Sequence, residues 1–235
     1  MSAQLPLNVR LRDSSSFDNY WSGRNREAVA SLRAALDALV GGRHRPEALI
    51  YLWGEPGTGR THLLEAACHM AHAHGRSAAY VPLAEARALA PTLLEDREMT
   101  ALVCLDDLDA IVGEAGWERA LFALTERLRT SRGTLVVSAR RGPAQLGVAL
   151  PDLASRLAWG LVYQLHGLSD DDKLDAIRLR AQRRGLELSE EVTRYILHRY
   201  ARDLHSLFSL LDRLDQASLA QQRRITIPFL RGLEP

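Results

Sequence analysis

This chain of 235 residues predicts an α/β protein built on a parallel sheet, followed by a small all-helical unit. Three observations carry that expectation. Short apolar runs alternate with stretches of helical periodicity between about residue 25 and residue 165, the pattern of β-α units whose strands run parallel. Strand-like runs then stop, and from Ser169 onward only helical spacing remains. Between one apolar run and the helix after it lies Gly54-Glu55-Pro56-Gly57-Thr58-Gly59-Arg60-Thr61. It has the spacing of a phosphate-binding loop, G-x-x-x-x-G-K-[ST], with arginine in the lysine position.

Residues 1–23 combine polar and turn residues with isolated aromatics, Phe17, Tyr20 and Trp21, and read as an irregular arm that docks by those rings. Residues 25–40 read as a helix with Ala28, Leu32, Ala35, Leu36 and Leu39 on one face, stopped by Gly41-Gly42. Ala48–Trp53 is apolar and β-prone, a buried strand. Thr61 to Gly75 reads as a helix through Leu63, Leu64, Ala67, Met70 and Ala71. A strand near 78–82, a short helix near 84–90, a strand over 101–105 and a helix over 116–129 follow. In the last of these Trp117, Leu121, Leu124 and Leu128 form a core stripe. Strands over 134–138 and 161–165 complete the sheet. Ser169 caps the next helix, with Asp172 at the capping-box position. Further helices cover about 189–199 and 203–221. The expected organisation is an arm over 1–23, an α/β domain over 24–167 and a helical lid over 168–235.

Composition is that of an ordinary globular protein, 46% hydrophobic and 25% charged. A net charge of +1 gives no global drive toward nucleic acid or membrane. No apolar run has the length of a membrane span, and no signal-peptide pattern opens the chain, so a cytoplasmic location is expected. Cys68 and Cys104 lie in apolar stretches without metal or redox spacing and read as buried thiols. His69, His72 and His74 read as solvated helix-end residues rather than metal ligands. Arg178, Arg180, Arg183 and Arg184 read as a solvated face balanced by Asp170, Asp171, Asp172 and Asp175.

The glycines of the loop let backbone N–H groups converge on phosphate oxygens at a helix N-terminus. Gly54, Pro56, Gly57, Thr58, Gly59, Arg60, Thr61 and His62 are the candidate nucleotide-binding residues, and Thr61 offers a hydroxyl to Mg²⁺. Arginine is a larger planar fork than lysine, so Arg60 can either pair with phosphate or crowd the γ-phosphate position. Only Lys173 among the 30 Lys+Arg is lysine, so Arg60 also fits a bias across the whole chain. Ala101-Leu102-Val103-Cys104-Leu105-Asp106-Asp107 is an apolar strand ending in two carboxylates. Such a strand brings them to the carboxyl edge of the sheet, beside the phosphate loop. Asp106 would hold Mg²⁺ and Asp107 would act as a general base toward water.

Gln4-Leu5-Pro6-Leu7, Tyr51-Leu52-Trp53, the phosphate loop and Tyr80-Val81-Pro82-Leu83 together resemble the Hda family of small AAA+ proteins, homologues of the replication initiator DnaA. So do the Asp106-Asp107 strand, Leu150-Pro151-Asp152-Leu153-Ala154-Ser155-Arg156-Leu157, Trp159-Gly160, Leu168-Ser169-Asp170 and Thr226-Ile227-Pro228-Phe229. The resemblance covers nearly the full length. It implies an AAA+ P-loop core with a five-stranded parallel sheet and a small all-α lid, without the initiator's DNA-binding domain. It implies binding of ADP, or ATP, with Mg²⁺. It implies two partners, DnaA and the DNA polymerase III sliding clamp (β subunit) on DNA, hence a nucleoid association through the clamp. No strong intrinsic DNA binding or membrane contact follows, and a homo-oligomer is compatible with the sequence.

Arg156 matches the family's arginine finger and would act in trans on DnaA-bound ATP. Gln4, Leu5, Leu7 and Val9 match a short clamp-binding peptide that lays alternate side chains into a groove, Val9 being smaller than the usual residue. At the sensor after the fourth strand, Arg140 stands where the family has aspartate and cannot accept a hydrogen bond from water. His205 falls at the sensor-arginine position of the lid. These departures imply slow or absent hydrolysis by the chain itself. An autonomous ATPase of helicase-loader or clamp-loader type and a non-catalytic DnaA-binding adaptor are the competing readings.

Overall fold

The computed structural model describes residues 15–42, 49–95, 97, 99–200, 204–221 and 225–232. The chain divides into two compact units, one containing Arg24–His166, the other joining Asp18–Gly23 to the residues from Gly167 onward.

The first unit holds a parallel sheet of five strands: β1 (Leu49–Trp53), β2 (Ala78–Pro82), β3 (Leu102–Asp106), β4 (Thr134–Ala139) and β5 (Leu161–Gln164). Their spatial order is β2-β3-β4-β1-β5, and every pairing is parallel. A parallel sheet is covered on both faces, so its central strands are apolar throughout rather than alternating. β3 is buried at every position, which accounts for the unbroken run Leu102-Val103-Cys104-Leu105. On one face Tyr51, Val103, Leu105, Leu135 and Val137 pack with Trp117, Leu121, Leu124 and Leu128 of α4 (Ala115–Ser131) and with Leu153 and Leu157 of α5 (Pro151–Trp159). Alternation sends the intervening residues to the other face. There α2 (Arg60–Ala73) contacts β2, β3 and β4, and α1 (Arg26–Val40) packs on α2. Phe17 is buried under the guanidinium of Arg33, 4.9 Å from the ring centre.

Boundaries match the sequence reading to within a few residues, except that the short helix after β2 is only one turn, α3 (Leu83–Ala86). The helix α5 is not legible as a separate element in the periodicity. It has a proline in its first turn, is nine residues long and buries only Leu153 and Leu157. Cys68 and Cys104 are buried free thiols, as expected. Among the described residues no group of three or more His, Cys, Asp or Glu side chains can hold a metal ion. Likewise none of the described helices is long and apolar enough to cross a membrane.

The second unit is helical: α6 (Asp170–Arg183), α7 (Glu190–Arg199), α8 (Leu204–Gln221) and α9 (Ile227–Arg231). The capping box at Ser169 and Asp172 is present in full, and Ser189 and Thr226 cap α7 and α9 through their side chains. Ile177, Ala181, Val192, Ile196, Leu207, Leu211 and Leu214 form its core. Trp21 donates its indole N–H to Asp172 at 3.0 Å, which ties the segment before α1 to the start of α6. One expectation fails here. Arg180 is not part of a solvated face: it is buried, with its guanidinium 4.3 Å over the ring of Phe208. Arg178 does pair with Asp175, whereas Arg184 is largely covered and pairs with Asp212 of α8 rather than with the acids at the start of α6.

Candidate functional site: the phosphate loop, the acidic strand end and Arg156

The loop leaves β1 through Gly54, whose N–H bonds the carbonyl of Ala139 at 3.2 Å. A Cβ at Gly54 would lie 2.4 Å from the carbonyl oxygen of Leu165, so only glycine fits where the loop passes β5. Thr58 folds back on Glu55, its hydroxyl donating to the Glu55 carbonyl at 2.9 Å. Gly59 then sits at φ 88 in the left-handed region and hands the chain to α2 at Arg60. Gly59 brings no side-chain acceptor to the helix N-terminus, so the first-turn N–H groups stay available to an anion. Left-handed glycines on either side of Thr58 and an uncapped helix start are the features of a backbone phosphate cradle.

Arg60, first residue of that helix, is 9% exposed. Its Nη2 lies 3.3 Å from Asp107 Oδ1, while its Nη1 is buried with no partner among the described residues. The guanidinium therefore spans two places, Asp107 and a position where an anionic oxygen would satisfy it. His62, also in the first turn, has its Nε2 2.8 Å from the carbonyl oxygen of Ser16.

Asp106 closes β3 in a buried position where three hydroxyls meet. Thr61 donates to Oδ2 at 2.6 Å, Tyr80 donates to Oδ2 at 2.8 Å, and Ser138 donates to Oδ1. The two carboxylate oxygens thus accept from all three hydroxyls. Burial, then the Asp106 charge, pushes the Tyr80 phenol far above its ordinary pKa and keeps it a donor. Thr61 and Asp106 are the hydroxyl and carboxylate that would share a hard divalent cation, with phosphate oxygens or water completing its shell. The hydrogen bond between them joins two residues that motif spacing alone singles out. Nothing in the spacing of Tyr80 and Ser138 shows that neighbouring strands bring them to one carboxylate.

Asp107 has left-handed backbone, φ 56, and begins a short 3-10 turn over Leu108–Ala110. Its N–H bonds Ser138 Oγ at 3.0 Å. Burial and the charge of Asp106 raise its pKa despite the nearby Arg60 and Arg140. Asp107 and Arg140 both line an open cleft of about 460 Å³ with Asp109 and Arg141. Arg140 is exposed, and its backbone N–H donates to Asp109 at 2.7 Å. Tyr51 anchors the same turn by donating to the Arg141 carbonyl at 2.7 Å. The side chain of His205, in α8, and the residues Gln4, Leu5, Leu7 and Val9 lie outside the described residues.

Arg156 lies on α5, half-buried, with Nε 2.7 Å from Glu126 Oε1 of α4. Its guanidinium carbon is 5.9 Å from the ring centre of Trp159, which is 78% exposed. The start of α5 is fixed by Glu118, a buried α4 carboxylate that accepts from the backbone N–H groups of Gly113, Ala149 and Leu150. Neither Glu118 nor Glu126 stands out in the sequence, where each is one more acid on an amphipathic helix.

A phosphate cradle at the end of β1, followed in space by an acidic end of β3 hydrogen-bonded to the cradle's threonine, defines a P-loop protein of the AAA+ type. The chain belongs to the bacterial DnaA ATPase domain family, whose model matches residues 11–164, and residues 170–233 match the Hda lid domain. It is thus an Hda-type, DnaA-homologous AAA+ protein. Its fold is similar to AMPPCP-bound DnaA from Aquifex aeolicus, with TM-score 0.72 and 24% identity over 88% of this chain and 66% of that one. It is also similar to domain III of the Thermotoga maritima initiator DnaA, with TM-score 0.70 and 21% identity over 97% of this chain and 100% of that one. A DnaA bound to AMPPCP and single-stranded DNA matches with TM-score 0.73 and 23% identity, over 92% of this chain and 70% of that one.

Proposed function

We propose that this chain is a negative regulator of replication initiation that acts on another protein's ATP. It binds the DNA-loaded sliding clamp through Gln4, Leu5, Leu7 and Val9. It then uses Arg156 in trans to stimulate hydrolysis of ATP held by DnaA. A guanidinium brought to a γ-phosphate across a subunit boundary neutralises charge developing there and is worth about 10³–10⁵ in rate.

The observation that carries this reading is the contrast between the chain's two notable arginines. Arg60, in its own phosphate loop, is buried and paired with the very carboxylate that would serve as general base. Arg156 is partly exposed beside an exposed tryptophan, as a group that meets a partner would be. The chain's own site binds ADP in this reading, with the loop N–H groups on the phosphates and Thr61 and Asp106 on Mg²⁺. Turnover there is slow, because Asp107 is engaged by Arg60 and Arg140 offers no acceptor for water. In this reading His62, in the first turn after the loop, also contacts the nucleotide, and His205 stands at the family's lid sensor position.

Reconstituted DnaA-ATP, clamp-loaded DNA and this chain test the proposal. Arg156→Ala is expected to abolish the stimulated hydrolysis while clamp binding persists. Gln4→Ala with Leu7→Ala is expected to remove clamp binding. Undiminished stimulation by the Arg156 variant would sink the assignment.

A further inference from the structure

We infer that Glu126 is the positioning residue of Arg156, an inference that rests on Arg156 being the group that reaches the partner's γ-phosphate. Arg156 Nε lies 2.7 Å from Glu126 Oε1, in a contact ion pair rather than an aligned hydrogen bond. That oxygen is buried, although the carboxylate as a whole is about one-third exposed. The same carboxylate meets Arg129 through Oε2 at 3.3 Å, so each oxygen is committed to a different arginine.

The contact has a direction. A guanidinium recognises phosphate best through a pair of parallel N–H donors. Glu126 takes the inner nitrogen, next to the side-chain stem, and the terminal fork of Nη1 and Nη2 is left for a ligand. The ring of Trp159, one turn further along α5, gives the guanidinium plane a second restraint. Two contacts of this kind remove rotamers that a long, flexible side chain would otherwise sample. That loss is made before the partner arrives, so less ordering is needed at the moment of reaction. Glu118, also on α4, fixes the other end of α5 through Ala149 and Leu150. The helix α4 thus holds both the start of α5 and its functional side chain.

The test compares Glu126→Gln, Glu126→Asp and Arg156→Ala, each as the full chain, in clamp-dependent hydrolysis of DnaA-bound ATP. Melting curves and clamp binding check that each variant is folded. For an ion pair about one-third exposed the expected effect of Glu126→Gln is roughly a fivefold fall in the maximal rate. The chain concentration giving half-maximal stimulation should stay unchanged. Glu126→Asp, which keeps the charge, should recover about half or more of the lost rate. If Arg156→Ala abolishes stimulation but Glu126→Gln matches or exceeds the wild type, positioning is overturned and the role of Arg156 stands. A fall that appears only as a higher half-maximal concentration also overturns it, since Glu126 would then be a docking contact. If Arg156→Ala retains stimulation, the underlying reading itself fails.

Discussion

Replacing Glu118 should unseat α5 and, with it, the side chain on which the proposed activity depends. Its Oε1 accepts from Gly113 N at 2.8 Å and Ala149 N at 3.1 Å, and its Oε2 accepts from Leu150 N at 2.8 Å. Glutamine keeps a single acceptor oxygen and turns an NH₂ toward one of those N–H groups. One buried donor is left unpaired and the other bonds lose their charge assistance. A hydrogen bond to a charged group contributes about 1.5–3 kcal/mol, so Glu118→Gln should cost about 3 kcal/mol. In a domain of this size that is roughly 6–12 °C in Tm.

The loss should depend on pH. Burial alone would raise the Glu118 pKa, but the three backbone donors outweigh it and hold the carboxyl below its ordinary range. A folded-state pKa below the unfolded value adds stability that is complete above about pH 4.3 and fades as pH falls through the folded value. The difference in Tm between wild type and Glu118→Gln should therefore shrink on acidification below that point. Differential scanning calorimetry from neutral to acid pH measures both effects. A variant within about 2 °C of wild type at neutral pH would refute the assignment of Glu118 as the anchor of α5.

Two further predictions concern the chain's own nucleotide site. Asp107→Asn removes the anion that engages Arg60 and a negative charge near the phosphates, so ATP affinity by calorimetric titration should rise about tenfold. Equal or weaker ATP binding would mean that the Arg60–Asp107 pair does not compete with nucleotide. Asp106→Asn replaces one acceptor oxygen with donors where Thr61, Tyr80 and Ser138 all donate. It should lower Tm and remove the Mg²⁺ dependence of nucleotide binding. Retained Mg²⁺ dependence would count against Asp106 as the cation's carboxylate.

Much of the α/β unit was legible because its signals are local. An unbroken apolar run such as Leu102-Val103-Cys104-Leu105 fits a strand buried on both faces, and the spacing from Gly54 to Thr61 is that of a phosphate loop, in which Gly57 and Gly59 take left-handed backbone. The helix α5 escaped because nine residues with two buried leucines barely establish a period. Arg180 runs against the pattern because a helix rich in Asp and Arg looks solvated, and only tertiary packing puts Phe208 under that guanidinium. The site was half legible. Thr61 and Asp106 follow from motif spacing, whereas Ser138 and Tyr80 reach Asp106 only through the strand order β2-β3-β4. The pairing of Arg60 with Asp107 likewise joins residues far apart in sequence, and it engages the carboxylate that motif spacing offers as a general base.

The central claim is that the chemistry served by this chain occurs on its partner's nucleotide. The direct measurement loads DnaA with ATP carrying one radioactive γ-phosphate isotope and this chain with ATP carrying another. Phosphate release from each is then followed with clamp-loaded DNA present. The account predicts fast release of the DnaA label, lost in Arg156→Ala, while the chain's own label is released slowly or is not retained. Fast release of the chain's own label, with the DnaA label lost only at its intrinsic rate, would contradict it.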